Sequence, residues 1–440
     1  MNFFEDIKLS KPLKNALDEQ GISTATPIQE KAIPVILAGK DVVGIAQTGT
    51  GKTLAYLLPI LRDLKFSNQR TPRVLILVPT RELAVQVAEE IEKLSTYLSL
   101  RTLCVFGGVN INTQKQHVHE GTDIIVATPG RLYDLTMTGI LRLKDIQKLV
   151  IDECDEMLDL GFRPQLERIL ELLPSKRQNL MFSATITDNV DALVDTFFND
   201  TEKIMASPAG TPLEKITQKI YAVPNYYTKL NFIVDLLKKE EDFKKVFIFV
   251  KSKAIADRLH DDIEKEFPET FGVLHSNKSQ NYRLRMVEEF KQGELRGLVA
   301  TDLVSRGIDI DNITHVINFD IPDQVEQYIH RIGRTGRIDK EGVAISFVSE
   351  KEEIYFHHIL QFMRKTLPLE QLPEHIEVST QLIPEEEDID IHDAPTLLQP
   401  KHSIGEGNMN EVSKKIKKTV NLKPRQKNQK PRKGRKKKRN

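Results

Sequence analysis

The fold of this chain is decided by the stretch Ala46-Gln47-Thr48-Gly49-Thr50-Gly51-Lys52-Thr53. The mainly apolar residues 41–45 before it predict a buried strand, and residues 54–64 after it are apolar at helical spacing. This order is typical of a phosphate-binding loop, in which backbone N–H groups and a helix N-terminus face the anion. Lys52 would then reach the β- and γ-phosphates, and the Thr53 hydroxyl would hold Mg²⁺. The strict pattern has glycine at the position of Ala46, so a glycine-rich turn before a core helix is the alternative.

Composition and length limit the class of protein. The chain has 440 residues, which suggests about three units at roughly 150 residues per domain. No apolar run approaches the ~20 residues that span a bilayer, and the first residues lack the regions of a signal peptide. The two cysteines, Cys104 and Cys154, lie in or beside apparent strands. We therefore expect a reducing compartment, the cytoplasm, with the nucleus as an alternative in a eukaryote.

The formal net charge of zero hides a strong asymmetry. Residues 414–440 carry 15 Lys and Arg and no Asp or Glu, which leaves 48 basic and 63 acidic residues in the remainder, a net charge of −15. A basic tail on an acidic body indicates a polyanionic partner. The tail could be a nucleic-acid anchor or a nuclear address.

Polar clusters follow several apolar runs in the first half of the chain. The runs are typical of strands buried in a parallel sheet and cover residues 73–79, 102–106, 123–127, 148–151 and 179–182. Ligands of an open α/β sheet bind beyond the carboxyl ends of its strands. The clusters are therefore expected on one functional edge, although each by itself could be a turn with a helix cap. Thr80 is predicted to cap the helix that follows it.

An acidic pair, Asp152 and Glu153, follows the strand 148–151. Asp152 would hold Mg²⁺, and Glu153 could orient and deprotonate the attacking water; solvated loop acids are the alternative. Gln29 lies about twenty residues before the phosphate loop. Its amide can read the N6 and N7 edge of adenine, although an isolated glutamine is more often a surface residue.

A second α/β unit follows a linker-like segment at residues 206–212. Its predicted strands cover 246–250, 298–300 and 316–319, and it has no phosphate loop of its own. Arginines recur within 306–309 and 330–337, where they suit phosphate binding better than a helix surface. A catalytic arginine from a second domain is a known aid to phosphoryl transfer; a solvated basic loop is the alternative. From residue 367 the pattern decays, and the acidic run 385–388 and the basic tail are predicted to be disordered.

With these motifs in this order and spacing, residues 3–365 resemble the DEAD-box family of ATP-dependent RNA helicases. The resemblance implies catalytic roles for Glu153, Lys52, Arg334 and Arg337. It implies nucleotide contacts from Phe4, Gln29, residues 46–53 and Asp309. It implies RNA contacts from Pro79, Thr80, Arg81, Gly107, Gly108, Thr128, Pro129, Gly130, Arg131 and Thr301. It implies coupling of ATP to RNA through Asp155, Ser183, Thr185, His330 and Arg331, and a second-domain motif that includes Gln280 and Arg283.

Two positions depart from the family pattern. The name-giving tetrad reads Asp-Glu-Cys-Asp, and we interpret Cys154 as a small core residue and not as a catalytic thiol. Ile22 stands where the family usually has an aromatic that packs on adenine. An aliphatic side chain still excludes water there but loses the stacking contact.

The sequence thus predicts two RecA-like α/β domains, each with a mostly parallel sheet. Their expected bounds are 1–205 and 215–366, with a linker at 206–214 and an acidic, then basic, tail at 367–440. ATP and Mg²⁺ are the expected cofactors and RNA is the expected partner, with ribonucleoprotein or ribosome-assembly partners through the tail. The family implies local strand separation on domain closure. A DNA-translocating ATPase of the same superfamily and an RNA-binding scaffold with little turnover are the alternatives.

Overall fold

Short runs of aliphatic residues form the strands of the computed structural model, which describes residues 3–46, 49–205, 216–239, 243–302, 313–336, 341–363 and 366–387. The strands of the first domain are β1 (Val42–Ile45), β2 (Val74–Leu77), β3 (Thr102–Val105), β4 (Ile124–Ala127), β5 (Lys148–Ile151), β6 (Gln178–Ser183) and β7 (Glu202–Met205). Its helices are α1 (Phe3–Asp6), α2 (Lys11–Glu19), α3 (Pro27–Leu37), α4 (Lys52–Asp63), α5 (Arg81–Leu94), α6 (Ile111–Glu120), α7 (Pro129–Met137), α8 (Cys154–Asp159), α9 (Arg163–Leu172) and α10 (Asp188–Phe197).

The second domain repeats this alternation of strands and helices. Its strands are β8 (Ile216–Ala222), β9 (Val246–Val250), β10 (Phe271–Leu274), β11 (Gly297–Thr301), β12 (His315–Asn318), β13 (Gly342–Val348) and β14 (Leu369–Glu370). Its helices are α11 (Tyr226–Leu237), α12 (Lys253–Glu266), α13 (Gln280–Gln292), α14 (Val325–Ile332), a 3₁₀ turn (Glu350–Glu352), α15 (Glu353–Met363) and α16 (Pro384–Glu387).

Each domain is built on a parallel sheet. The strand orders are β3-β4-β2-β5-β6-β1-β7 and β10-β11-β9-β12-β13-β8-β14. Within the described residues, every pairing between these strands is parallel. The prediction of two RecA-like domains with mostly parallel sheets is therefore confirmed.

Helices cover both faces of the first sheet, which explains its near-continuous apolar strands. Successive strand residues point to opposite faces, so Val42 and Ile76 pack into one hydrophobic cluster, whereas Val43 and Leu75 pack into another. Cys154 is fully buried in the second of these clusters. This burial agrees with its interpretation as a core residue.

The register of the first sheet brings its polar clusters to one edge. Ile45 at the end of β1 lies opposite Ser183, and Leu77 at the end of β2 lies opposite both Ile151 and Ala127. Because all these strands run in one direction, the loops that follow them leave the sheet together. The predicted functional edge is therefore formed by the strand register.

Residues 366–387 differ from the expectation of a disordered tail that starts at residue 367. Ile376 and Ile383 are buried in the hydrophobic cluster of the second domain. The acidic run contributes to this packing, because Glu386 Oε1 accepts a hydrogen bond of 2.7 Å from the backbone N–H of Tyr226 at the start of α11. A carboxylate is stabilised at a helix N-terminus. Packing on the second domain therefore extends to Glu387, and the rest of the expected tail, residues 388–440, lies outside the described residues.

The expected linker, residues 206–214, also lies outside the described residues, so the domain bounds stay predictions. In the part of the chain that the structure describes, no helix combines the length and the apolar character needed to cross a membrane.

Candidate active site

The phosphate loop connects β1 to α4 and ends in a left-handed glycine. Gly51 has a φ of +85°, and a Cβ at this position would lie 2.3 Å from Nε2 of Gln29, so the site requires glycine. Lys52 is 6% exposed, and its Nζ has no hydrogen-bond partner among the described residues. A buried ammonium without a partner is costly. A phosphate anion bound at this helix N-terminus would supply that partner.

Gln29 supports the phosphate loop from the first turn of α3. Its Oε1 accepts a hydrogen bond of 3.0 Å from the backbone N–H of Thr26, and its Nε2 donates one of 3.1 Å to the carbonyl of Gly51. One amide hydrogen and one lone pair remain after these bonds. Contact with adenine stays a prediction for Gln29. It also stays a prediction for Phe4, which is buried in the hydrophobic cluster of the first domain.

Asp152 follows β5 and is nearly fully buried. Its Oδ1 accepts a hydrogen bond of 3.0 Å from the backbone N–H of Glu153, and its Oδ2 accepts one of 2.9 Å from the Tyr56 hydroxyl on α4. Burial raises the pKa of Asp152, while the nearby Lys52 ammonium opposes that rise. Sequence reasoning missed Tyr56, because helical spacing marks it only as a core position.

Glu153 occupies a backbone conformation that is rare for a side chain other than glycine. Its φ and ψ are both 52°, in the left-handed region, which costs about 1–2 kcal/mol. Its Oε2 is buried and has no hydrogen-bond partner among the described residues. Burial and the neighbouring Glu156 carboxylate raise the pKa of Glu153 well above its usual value. Such strain and an unsatisfied carboxylate oxygen are typical of a functional position.

Asp155 connects the acidic motif to the segment after β6. Its Oδ2 accepts hydrogen bonds from the backbone N–H groups of Ala184 and Thr185, at 3.1 and 2.9 Å, and from the Thr185 hydroxyl at 2.8 Å. The Ser183 hydroxyl donates to the Thr185 carbonyl at 2.8 Å. Burial alone would raise the pKa of Asp155, but the bond with His330 and these donors hold it well below its usual range.

His330 on α14 brings the second domain against these acids. Its Nε2 lies 3.7 Å from Oδ2 of Asp155, and its Nδ1 lies 3.2 Å from Oε1 of Glu156. Burial opposes the charged imidazolium, but the two carboxylates outweigh burial and raise the pKa of His330 to about 10. The imidazolium therefore carries a positive charge at neutral pH. Sequence reasoning missed Glu156, since an acid on the first turn of α8 has no local signature.

Three predicted RNA-contact clusters meet at the same edge of the first sheet. Thr80 caps α5 as predicted, because its hydroxyl accepts a hydrogen bond of 3.2 Å from the backbone N–H of Leu83. The Arg81 guanidinium covers the glycine pair after β3, since a Cβ at Gly108 would lie 2.0 Å from its Nη1 and a Cβ at Gly107 would lie 3.5 Å from its Nη2. These two clusters are therefore in contact.

Arg131 connects the third cluster to the other two. It lies in the first turn of α7, and its Nη1 donates hydrogen bonds to the carbonyl of Val109 at 3.0 Å and to Oε1 of Gln114 at 2.9 Å. The backbone N–H of Thr128, just before this helix, donates to the carbonyl of Val105 at 3.0 Å. Pro79, Pro129 and Gly130 occupy the same loops. Their contact with RNA stays a prediction.

A carboxylate of the first domain is held by α13 of the second domain. Glu82 is 5% exposed, and its Oε1 accepts a hydrogen bond of 3.0 Å from Nε2 of Gln280. The same oxygen lies 3.2 Å from Nη1 of Arg283. Burial and the nearby Arg283 charge lower the pKa of Arg81. Glu82 therefore offsets the repulsion between two arginines, one from each domain.

The other predicted site residues of the second domain are buried where the structure describes them. Arg331 is buried, and it donates to both oxygens of Asp302, at 2.6 and 2.7 Å, and to the carbonyl of Asp320. These bonds stay within the second domain, so its role in coupling stays a prediction. Arg334 and Thr301 are also buried.

Four predicted site residues lie outside the described residues: Gln47, Thr48, Asp309 and Arg337.

Comparison with known families identifies the class of protein. A sequence model described as DEAD/DEAH box helicase matches residues 26–193, and one described as helicase conserved C-terminal domain matches residues 228–339. The chain is 39% identical over 359 residues to the DEAD-box ATP-dependent RNA helicase CshA of Geobacillus kaustophilus, covering 82% of this chain and 76% of that protein. It is 36% identical over 375 residues to the ATP-dependent RNA helicase RhlB of Shewanella woodyi, covering 83% and 84%.

A solved structure of a protein bound to RNA and a nucleotide analogue has a similar fold. Dbp5 of S. cerevisiae, bound to RNA and ADP BeF3, superposes with a TM-score of 0.75 at 27% identity, covering 84% of this chain and 95% of that chain. Together with the sequence relatives, this similarity shows that the chain belongs to the DEAD-box family of ATP-dependent RNA helicases.

Proposed function

We propose that this ATP-dependent RNA helicase hydrolyses ATP between its two domains and uses Glu153 as the general base. The observation that carries the proposal is a pair of buried polar atoms without partners among the described residues, Lys52 Nζ and Glu153 Oε2. Both lie beyond the carboxyl ends of β1 and β5. A bound nucleoside triphosphate with an attacking water would satisfy both atoms.

The phosphate loop is the proposed site for the ATP phosphates. The N-terminus of α4 would face the anion, and Lys52 would neutralise charge on the β- and γ-phosphates. Gln29 and Phe4 are proposed to bind the adenine. Arg334, Arg337 and Asp309 are proposed to complete the site from the second domain.

The residues beside the phosphate loop fit Mg²⁺. Asp152 offers a carboxylate and Thr53 a hydroxyl, and oxygen ligands are those that Mg²⁺ prefers. In the described parts of the chain, no group of three or more His, Cys, Asp or Glu could hold a metal, and Mg²⁺ is usually bound by one or two carboxylates together with substrate phosphates. An ion held by Asp152 and Thr53 would supply positive charge that offsets the charge of the phosphates.

Glu153 is proposed to orient the attacking water and accept its proton at Oε2. Its raised pKa brings the carboxylate closer to the range in which a general base is effective. The buried setting of Glu153 would limit access of competing water. Glu156 would repel a second negative charge and so favour proton uptake by Glu153.

RNA is the partner, and its backbone is proposed to lie along the edge formed by Arg81, the Gly107–Gly108 loop, Arg131 and Thr301. Asp155, Thr185 and His330 are proposed to report the nucleotide state to this edge, because they join the acidic motif to the second domain. ATP and RNA would then both favour the closed arrangement, in which the two domains are in contact, and would bind cooperatively. Local strand separation on closure is the proposed mode of unwinding.

We propose domain bounds at 1–205 and from 215 through Glu387, with a linker at 206–214 and a tail beyond 387. The basic end of the tail is proposed to hold RNA and ribonucleoprotein or ribosome-assembly partners. A cytoplasmic location is proposed from the bacterial homologues, which are ATP-dependent RNA helicases.

The test is Glu153→Gln, which keeps the shape of the side chain and removes its basicity. We expect ATP and RNA binding to remain and RNA-stimulated phosphate release to fall by about 100-fold or more. Phosphate release at the wild-type rate would refute the base assignment. Parallel assays with RNA and DNA address the DNA-translocating alternative, and a wild-type protein without RNA-stimulated turnover would favour the scaffold alternative.

A further inference from the structure

Tyr56 places a phenol hydroxyl in the interior beneath the phosphate loop. The residue is fully buried on α4, and its ring packs against Phe182 with 5.4 Å between the ring centroids. Its hydroxyl donates a hydrogen bond of 2.9 Å to Oδ2 of Asp152, which is 96 residues away in the chain. Phenylalanine would make the same ring contacts without burying a polar atom. The hydroxyl therefore calls for an explanation beyond packing.

The hydrogen bonds of Asp152 hold its carboxylate from two sides. The backbone N–H of Glu153 donates to Oδ1 at 3.0 Å, and Tyr56 donates to Oδ2. Each oxygen thus has one donor and keeps one lone pair for a further ligand. A hydrogen bond from Thr53 also reaches the Tyr56 hydroxyl. Tyr56 therefore joins the two side chains, Thr53 and Asp152, that are proposed to bind the metal.

We propose that Tyr56 is a positioning residue for Mg²⁺, which fixes the carboxylate of Asp152 in the orientation that binds the ion together with the nucleotide. This inference rests on the proposed function, because only Mg²⁺-dependent nucleotide binding gives Asp152 that role. Partners that orient a metal ligand through a hydrogen bond commonly affect metal affinity by 10- to 100-fold when removed. Tyr56 acts through Asp152 and does not itself touch the substrate.

Tyr56→Phe in the full-length chain removes the hydroxyl and keeps the ring. The assay measures the affinity of a fluorescent ADP analogue with and without saturating MgCl₂, and the MgCl₂ concentration that gives half of the tight binding. We expect that concentration to rise by about tenfold, while affinity for the analogue without Mg²⁺ stays unchanged. ATPase measured at high MgCl₂ should recover most of the wild-type rate, which separates metal affinity from the chemical step.

The matched control is Tyr226→Phe on α11 of the second domain. The Tyr226 hydroxyl donates a hydrogen bond of the same length, 2.9 Å, to Oδ2 of Asp262, and its ring is likewise buried. Both variants should lower the melting temperature by a similar amount, but only Tyr56→Phe should change the Mg²⁺ dependence.

The assay distinguishes failure of the Tyr56 role from failure of the proposed metal site. If wild-type protein binds the analogue with strong Mg²⁺ dependence and Tyr56→Phe leaves it unchanged, the positioning role is overturned and the proposed function stands. If wild-type protein shows no Mg²⁺ dependence at all, the proposed metal site itself fails.

Discussion

Replacing Glu82 with glutamine tests whether the contact between the two domains couples ATP binding to RNA binding. In the structure, the Glu82 carboxylate is held by Gln280 and Arg283 of the second domain at 3.0 and 3.2 Å. Burial lowers the pKa of Arg81 of the first domain, and the charge of the nearby Arg283 lowers it further, whereas Glu82 opposes both effects. Glutamine keeps the size and one acceptor oxygen of Glu82, but it removes the charge that offsets the two arginines.

The expected magnitude follows from the change in the hydrogen bonds. A bond that involves charged groups contributes about 1.5–3 kcal/mol, and a neutral one about 0.5–1.5 kcal/mol. The loss is therefore about 1–1.5 kcal/mol, which corresponds to about tenfold in an equilibrium constant. Complete removal of one partner from a buried pair would cost more, about 3–5 kcal/mol. Because the contact joins the two domains, its loss destabilises the closed arrangement relative to one in which the domains are apart.

The assay is RNA binding with and without a non-hydrolysable ATP analogue. Wild-type protein should bind RNA more tightly with the analogue, and Glu82→Gln should reduce this enhancement by about tenfold. The control is Glu167→Gln, because Glu167 pairs with Arg163 at 2.9 Å on the surface and both side chains are about 40% exposed. An exposed pair contributes little, so this control should leave the enhancement unchanged.

A double-mutant cycle with Arg283→Gln makes the test stricter. If Glu82 acts through Arg283, the double variant should lose no more coupling than either single variant. The reasoning is refuted if Glu82→Gln retains the full enhancement, or if Glu167→Gln reduces it to the same extent.

Two further predictions concern pH and the tail. The pKa of His330 rises from 6.5 to about 10 beside Asp155 and Glu156, so its stabilising contribution is complete below about pH 6.5 and is lost as the pH rises towards 10. The difference in melting temperature between wild type and His330→Gln should therefore shrink over that range, and a difference that grows with pH would contradict this. Deleting residues 414–440 removes 15 positive charges and should weaken RNA binding. The slope of log affinity against log salt concentration should become shallower by about 0.7 for each phosphate contact that is lost. The maximal ATPase rate should stay unchanged. The same salt slope after the deletion would show that the tail does not contact RNA.

Local patterns in the sequence were sufficient for the fold class. Buried parallel strands need continuous apolar residues, so β1 to β6, β9, β11 and β12 were visible without the structure. Sequence reasoning missed β7, β8, β10, β13 and β14. In β7 only Ile204 is buried, and β8 likewise mixes buried and exposed positions. A strand with few buried positions carries a weak apolar signal. In β10, Gly272 interrupts a four-residue run.

The segment 366–387 shows a limit of composition as a guide. Its acidic run and scattered prolines are typical of disorder, but Ile376 and Ile383 enter the core and Glu386 binds the start of α11. The segment also pairs with β8 through β14, and Ser379 exchanges hydrogen bonds with Asn225 and Thr228. Such contacts are spaced too irregularly to stand out in the sequence.

For the candidate site too, the sequence predicted some features and only the tertiary structure showed the others. The phosphate loop and the acidic motif were predictable, because the chemistry of each needs several residues at fixed spacing on one segment. Only the tertiary structure paired Tyr56 with Asp152 and His330 with Glu156, across 96 and 174 residues. Partners of this kind come together through strand register and helix packing. Each pair consists of two single residues from distant segments of the chain, so the local pattern of one segment does not predict the other residue.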